Sequence, residues 1–337
     1  MSIQQAISCP INSSRYLAKK LCDCNHFVIF VLLNICVIKN TKEITQMKKL
    51  LAAVLATIAL SANAFTITGA GASFPYPVYA KWAEAFKAAT GNSVNYQSIG
   101  SSGGIKQIDK KTVDFGASDV ARKQEELDKM GQIQFPMVMG GVVLVINVPG
   151  VEVNQLNLTM DQVVAIFSGK ITNWKELGQG LPDLPLMLAV RSDGSGTTGV
   201  FTQHLANHTV SFKDSVGVGK SVNWPSNHVG GKGNAGVAAT VKQVKGTIGY
   251  VEYAYAKQNN LVTTRIDGNE PSAEAFKSGK WILTAETFLI VYPDGTNTKQ
   301  VAEFVKFCYE NDAMADALDY VPLSAEKKAA SLKTLGM

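Results

Sequence analysis

Eight consecutive residues in the middle of the chain, Arg191-Ser192-Asp193-Gly194-Ser195-Gly196-Thr197-Thr198, bring together a guanidinium, a carboxylate, hydroxyls and two glycines. That set suits the binding of a compact oxyanion. Glycine lets a backbone approach a ligand closely, and Ser195 and Thr197 stand where helix N-cap hydroxyls stand, ahead of the apolar-faced segment 200–205. The first N–H groups of a helix have no internal acceptor, and the helix dipole adds roughly half a positive charge at that end. Arg191 adds a full one. An ordinary capped loop with a surface ion pair between Arg191 and Asp193 would carry the same residues, so the argument needs a second instance.

Two more instances occur upstream. Thr66-Ile67-Thr68 reads as a strand that enters the turn Gly69-Ala70-Gly71-Ala72-Ser73-Phe74. Pro75 and Pro77 suit the first turn of a helix, where a missing N–H is harmless. Val78, Trp82 and Phe86 then follow at i, i+4 and i+8 as one buried face. Ser73 is thereby expected as a helix-cap hydroxyl beside a glycine turn. Further on, a strand over 93–97 leads to Ile99-Gly100-Ser101-Ser102-Gly103-Gly104, with Ile105 and Ile108 on a helical face. Each turn alone is equally an N-cap; the three share donation of hydrogen bonds to an oxyanion. Residues 113–119 read as a strand that ends on Asp119. Ligands of open α/β sheets sit at the carboxyl ends of strands, although Asp119 could instead cap a helix over 122–129.

The elements that must position these turns begin at residue 65. Met47-Lys48-Lys49 is a positive n-region, 50–60 is an apolar h-region of 11 residues, and Ala62-Asn63-Ala64 is a small-residue cleavage site, which together read as a secretory signal peptide over 47–64. Translation is then expected to start at Met47, with 1–46 an upstream extension. The apolar stretch 27–38 in that extension falls short of the ~20 residues a spanning helix needs. Four of the five cysteines (Cys9, Cys22, Cys24, Cys36) lie in the extension, which leaves Cys308 and no internal disulfide in the exported part. Cys308 is expected as a buried small apolar residue on a C-terminal helix. The first 64 residues also hold seven of the 32 basic and two of the 27 acidic residues, so 25 of each remain. A balanced chain of this kind, 46% hydrophobic and 18% charged overall, has no field to favour nucleic acid or an anionic membrane. The cleavage site carries no lipidation cysteine.

Residues 135–148 are nearly continuously apolar around Gly140-Gly141, as in a buried strand pair or one long crossover strand, and Pro149-Gly150 marks a passage into a second domain. That domain alternates a helix over 159–167, a strand over 186–190 and the central loop. Gly230-Gly231-Lys232-Gly233-Asn234-Ala235-Gly236 then opens an Ala/Val-rich helix to about residue 244; it lacks the Gly-Lys-Ser/Thr order of a nucleotide loop. Strands follow over 246–253 and 288–292, and helices over 301–318 close the chain. There is no repeat at solenoid spacing. His204 and His208 stand at i, i+4, a spacing open to metal ligation or to a solvated helix face. Without a third ligand, neither metal nor cofactor is expected.

Several blocks in one order carry a resemblance. From Thr68 the chain reads TGAGASFP, from Val94 VNYQSIGSSGG, from Val113 VDFGASD, from Phe135 FPMVMGGVVLVINVPG, from Arg191 RSDGSGTT, from Gly230 GGKGNAG and from Gly249 GYVEYAYAKQNNL. The exported part resembles the extracytoplasmic phosphate-binding proteins of ABC-type phosphate importers. The resemblance implies an α/β, two-lobed type II periplasmic-binding-protein fold, its two α/β lobes joined by two crossing hinge segments. Lobe 1 would be 65–147 plus 288–337, and lobe 2 would be 148–287. It further implies that the backbone of Ala72, Ser73 and Phe74, the hydroxyls of Ser73 and Ser101, Asp119, Arg191, and the Ser195-Gly196-Thr197 cluster contact inorganic phosphate, with Asp193 orienting Arg191. Ser73 stands where the family usually has threonine, and the hydroxyl is kept. The expected protein is a periplasmic monomer that delivers phosphate to an inner-membrane ABC permease and is not an enzyme. A secreted phosphomonoesterase using Ser195 is the alternative, weakened by the lack of any histidine in the glycine loops and of a carboxylate cluster for two metals.

Overall fold

The computed structural model describes residues 64–337. The upstream extension, the signal peptide as far as Asn63, the apolar stretch 27–38 and the four early cysteines lie outside the described residues. The first strand β1 (Thr66–Gly71) is followed by helix α1 (Tyr76–Thr90), β2 (Ser93–Ser98), α2 (Ser101–Asp109), β3 (Phe115–Ser118), α3 (Gln124–Met130) and the 14-residue β4 (Ile133–Ile146). Then come β5 (Asn157–Leu158), α4 (Met160–Phe167), β6 (Met187–Arg191), α5 (Gly196–His208), α6 (Val210–Ser215), β7 (His228–Gly231), α7 (Gly233–Gln243), β8 (Thr247–Glu252), α8 (Tyr253–Gln258), β9 (Val262–Thr263), β10 (Arg265–Ile266) and α9 (Ala273–Lys277). The chain closes with β11 (Thr284–Val291), α10 (Thr298–Glu310), α11 (Asp312–Asp316) and α12 (Ala325–Thr334).

The main sheet runs β2-β1-β3-β11-β4-β8-β6-β7, with β9 paired on β4. β1, β2 and β3 are parallel, as are β6, β7 and β8, so each end of the sheet is a separate α/β half. β4 belongs to both halves. Its residues 133–141 pair antiparallel with β11, and Val142 to Ile146 pair with β8. The near-continuous apolar run is thus one crossover strand, buried on both faces as such strands must be. Gly140 and Gly141 sit at the changeover because rings pack on them: a Cβ would lie 2.9 Å from Phe74 at Gly140 and 2.3 Å from Phe276 at Gly141. A second crossing segment runs beside it, held by Val142 N–H to Leu283 O (2.7 Å) and Trp281 Nε1–H to Val142 O (2.9 Å). The partner exchange in β4, between Gly141 and Val142, comes six residues before the expected 147/148 boundary.

Local signals explain most elements. α1 buries Val78, Tyr79, Trp82 and Phe86 on one face and ends on Gly91 at φ 78°, where the left-handed cap closes onto Lys87 O. α4 opens with a capping box between Thr159 and Gln162. α10 buries Cys308 as a free thiol, as its small apolar character suggested. α12 extends beyond the predicted last helix; its sequence AEKKAASLKT buries little besides Ser331, so it has no apolar stripe to read. Among the described residues, no helix is long and apolar enough to cross a membrane.

Gly104, in the second turn region of α2, presses that helix onto the ends of β1 and β3: a Cβ there would meet Ala70 O and the Cα of Gly71 at 2.4 Å. Gly104→Ala is expected to lower stability by about 1–3 kcal/mol through overpacking against rigid backbone. Urea unfolding measures it, and a wild-type midpoint would contradict this packing.

Candidate functional site

The three glycine turns and Asp119 meet at the carboxyl edges of parallel strands. Ser73 follows β1, Ser101 follows β2, Asp119 follows β3, and Arg191 ends β6 at the start of the loop into α5. Ser101 Oγ accepts from Gly196 N–H (3.1 Å) and from Asp119 N–H (3.3 Å), which ties two strands' loops to the N-terminus of α5. Thr197 Oγ1 donates to Asp119 Oδ2 (3.3 Å) and accepts from Arg191 Nη1 (3.3 Å). Arg191 is fixed by a fork on Asp193, Nε–Oδ1 2.8 Å and Nη2–Oδ2 2.6 Å, so the pair is an internal one and not a surface ion pair. Ser195 is the N-cap of α5, its Oγ accepting from Thr198 N–H (3.0 Å). Gly196 accepts no side chain without collision: a Cβ would sit 2.3 Å from Ser101 Oγ and 2.7 Å from Asp119 Oδ2. Ser73, Ser101, Asp119, Arg191, Ser195 and Thr197 are all buried.

Two expected caps are not caps. α1 starts at Tyr76 with Pro75 in the cap position and no side-chain cap, and the Ser73 hydroxyl instead accepts from Asn234 N–H (3.1 Å) and Nδ2 (2.9 Å) across the two halves. The cap position of α2 is Gly100, and Ser101 is its first helical residue. Asp119 caps nothing either, since α3 begins at Gln124 after Lys123. Ala72 differs from its two neighbours: its N–H is spent on Ala117 O (3.0 Å), so it offers no free donor. The N–H groups of Ser73 and Phe74 meet no protein acceptor among the described residues.

Residues that sequence reasoning missed hold this turn. Three successive carbonyls accept from three tyrosine hydroxyls: Ala72 O from Tyr96 (2.7 Å), Ser73 O from Tyr255 (2.6 Å) and Phe74 O from Tyr320 (2.7 Å). With the carbonyls engaged, the turn cannot roll to present them to an anion. Asn234, in the loop set aside as a poor nucleotide motif, joins the halves: Nδ2 also lies 3.3 Å from Thr197 Oγ1, and Oδ1 accepts from Glu252 N–H (2.9 Å). Tyr250 accepts from Arg191 N–H (3.4 Å), which leaves its own hydrogen for Thr198 Oγ1 (2.7 Å). The tyrosines and Asn234 lie far from their partners in sequence, so no local pattern announces them.

Charge is unevenly balanced here. Burial raises the Asp119 carboxyl to about 7, against the lowering pull of Arg191 and Thr197, and its Oδ1 is buried with no hydrogen-bond partner. Asp193 goes the other way: burial opposes it, but the Arg191 fork and the Gly233 N–H (2.9 Å) outweigh burial and hold its pKa below the ordinary value. Glu252, fully buried, is raised to about 8 by burial, which exceeds the lowering effect of the Ala254 N–H. A groove of about 500 Å³ reaches Asp119 between Lys220 and His204 on one wall and Thr284 to Phe288 on the other. His204 bonds Thr284 O and His208 bonds Asp161, so the i, i+4 pair does not converge. Among the described residues, no group of three or more His, Cys, Asp or Glu is placed to hold a metal.

Residues 56–312 match the model of a PBP superfamily domain. A phosphate-binding protein PstS of Pasteurella multocida is 43% identical, covering 84% of this chain and 93% of its own length. One from Haemophilus influenzae is 45% identical, over 79% of this chain and 91% of its own. The crystal structure of a phosphate-binding protein from Stenotrophomonas maltophilia has the same fold, with a TM-score of 0.66 at 21% identity, covering 80% of this chain and 93% of that one.

The Asp119 carboxyl sets a sign for stability in the absence of ligand. Its folded-state pKa of about 7 lies above the ordinary 3.8, so the stability it contributes is complete below about pH 4 and is lost as pH rises towards 7. Asp119→Asn removes that loss. Relative to wild type, its urea midpoint is expected to rise between about pH 5 and about pH 8, and a difference that stays constant over that range would contradict the buried, unpartnered carboxyl.

Proposed function

The chain belongs to the PBP superfamily and, within it, to the PstS phosphate-binding proteins, and on that premise we propose how its own residues capture and release inorganic phosphate. It is the solute-binding component of an ABC phosphate transporter, a carrier that delivers its ligand to the permease and not an enzyme. Export through the signal peptide with cleavage after Ala64 would put a monomer of about residues 65–337 in the periplasm.

The anion is received by donors from both halves. The N–H groups of Ser73 and Phe74 and the hydroxyls of Ser73 and Ser101 come from lobe 1. Arg191, Ser195, Gly196 and Thr197 come from lobe 2, with Asp193 holding the guanidinium. The side chains and the Ser73 and Phe74 N–H groups can all donate, the Gly196 N–H being engaged by Ser101 Oγ, and Asp119 alone can only accept once ionised. The single observation that carries the reading is Asp119 Oδ1, a buried carboxylate oxygen left without a partner inside a ring of donors. A phosphate that still bears a proton supplies that partner. Sulfate has none to give, and its oxygen would face the carboxylate directly. An unpaired buried polar group costs about 1–3 kcal/mol, more when charged, which amounts to discrimination of about 10²-fold or above.

Closure follows from the same division. A ligand that bridges the lobes binds the closed form better, and that differential affinity shifts the population. The pivots are the changeover at Gly140-Gly141 and the second crossing at Leu283-Thr284, where two backbone strands alone connect the halves. Ser195 acts as a cap and a donor. Its Oγ faces Thr198 N–H and no imidazole, which leaves the phosphomonoesterase alternative without a base to activate a nucleophile.

Calorimetric titration at neutral pH tests the reading. Wild type is expected to bind phosphate stoichiometrically and sulfate at least about 10²-fold more weakly, and Asp119→Asn is expected to lose phosphate affinity and narrow that gap. A variant with wild-type phosphate affinity and undiminished exclusion of sulfate would remove Asp119 from its role.

A further inference from the structure

Glu252 ends β8 with 0% exposure, in no salt bridge, and outside the set of groups that face the anion. Its hydrogen-bond geometry fixes its protonation by counting hydrogens. Tyr320 Oη lies 2.7 Å from Phe74 O and 2.8 Å from Glu252 Oε2. The hydroxyl has one hydrogen, and a backbone carbonyl can only accept. Tyr320 therefore donates to Phe74 O, and the contact to Oε2 is made only if the carboxyl carries a hydrogen and donates it to Tyr320. The Ala254 N–H lies 3.0 Å from both Oε1 and Oε2 and so does not tell the two oxygens apart; the Tyr320 contact alone carries the assignment.

We propose that Glu252 is a neutral carboxylic acid whose proton, passed through Tyr320 as a hydrogen bond, positions the carbonyl of Phe74, and that its ionisation is an alkaline off-switch on anion binding. Loss of the proton would turn Tyr320 towards the new carboxylate and release Phe74 O, and with it the adjoining N–H groups of the turn. Burial supports the assignment, since it raises the group to about 8. The titratable groups around it are Tyr320 from the segment after α11, Tyr255 from α8 and Asp119 from the end of β3, none of them a cation. Arg191, whose charge reaches Tyr255, is already held by Asp193. Glu252 is thus a positioning residue. It spans the lobes, because β8 belongs to one half and Phe74 and Tyr320 to the other.

The protonation part stands on geometry alone; the switch rests on the phosphate reading of the site. Infrared difference spectra of wild type against Glu252→Gln at neutral pH are expected to show a protonated-carboxyl C=O band that the variant lacks. In phosphate titrations, the wild-type affinity is expected to fall about tenfold relative to Glu252→Gln between about pH 7 and about pH 9, as the competent fraction drops to roughly a tenth. The amide of the variant still donates to Tyr320 and does not titrate. Phosphate itself titrates alike in both proteins and cancels. Tyr320→Phe, with the link cut, is expected to keep the band and share the flat profile. Should Glu252→Gln not fold, the protonated-carboxyl absorption is titrated in Asp119→Asn, which lacks the other raised carboxyl, and is expected to vanish with a midpoint near pH 8. Absence of the band, or superimposable pH profiles, overturns the proposal. A wild type that binds no phosphate at any pH would defeat the site reading and leave the band to decide the proton.

Discussion

A carboxylate oxygen buried without a partner is the constraint around which the rest of the molecule is built. Asp119 Oδ1 has no hydrogen bond, while Oδ2 is met by Thr197 and the residue's own N–H is met by Ser101. Such a group costs about 1–3 kcal/mol if neutral and more if charged, so it persists only where the surroundings hold it in place and a ligand can satisfy it. The surroundings here are donors. Arg191, Thr197 and the free N–H groups of Ser73 and Phe74 lie around one acceptor, and the proposed reading of an anion that brings its own hydrogen rests on that arrangement.

Holding those donors still is the work of a polar frame behind them. Tyr96, Tyr255 and Tyr320 engage three successive carbonyls, Asn234 links Ser73 to Thr197 and Glu252, and Asp193 forks Arg191. Buried networks of this kind are favourable only when each member is satisfied, and then they rigidify. Apolar packing sets the frame itself. Phe74 and Phe276 rest on Gly140 and Gly141 of β4, so the strand that joins the two halves is also the floor under the turn of Ala72 to Phe74. A small shift at that floor is transmitted to the donors because the parts between them are close-packed.

Sequence and structure agree where the cause is local. Ser195 caps α5 through a bond to Thr198, three residues on, and the glycine-hydroxyl turn announces it. β4 is legible because a strand buried on both faces must be apolar throughout. The same local logic misreads Ser73 and Ser101. They have the neighbours of caps, but their hydroxyls bond Asn234 and Gly196, 161 and 95 residues away. Ala72 looks like its neighbours until its N–H is seen on Ala117. Tyr96, Tyr255 and Glu252 are ordinary strand and helix residues by spacing, Tyr320 lies in the segment after α11, and only the folded chain brings them to the turn. The residues singled out by the resemblance and the repeated turns do come together in the fold, and the frame that holds them was not legible, because its partners are distant in sequence.

The most direct test is a crystal structure of the protein grown with phosphate. The account predicts the anion at the carboxyl edges of β1, β3 and β6, within hydrogen-bond distance of the Ser73 and Phe74 N–H groups, Arg191 and Thr197, with one phosphate oxygen against Asp119 Oδ1. An anion bound elsewhere, or Asp119 turned away from it while the donors remain engaged, would contradict the account.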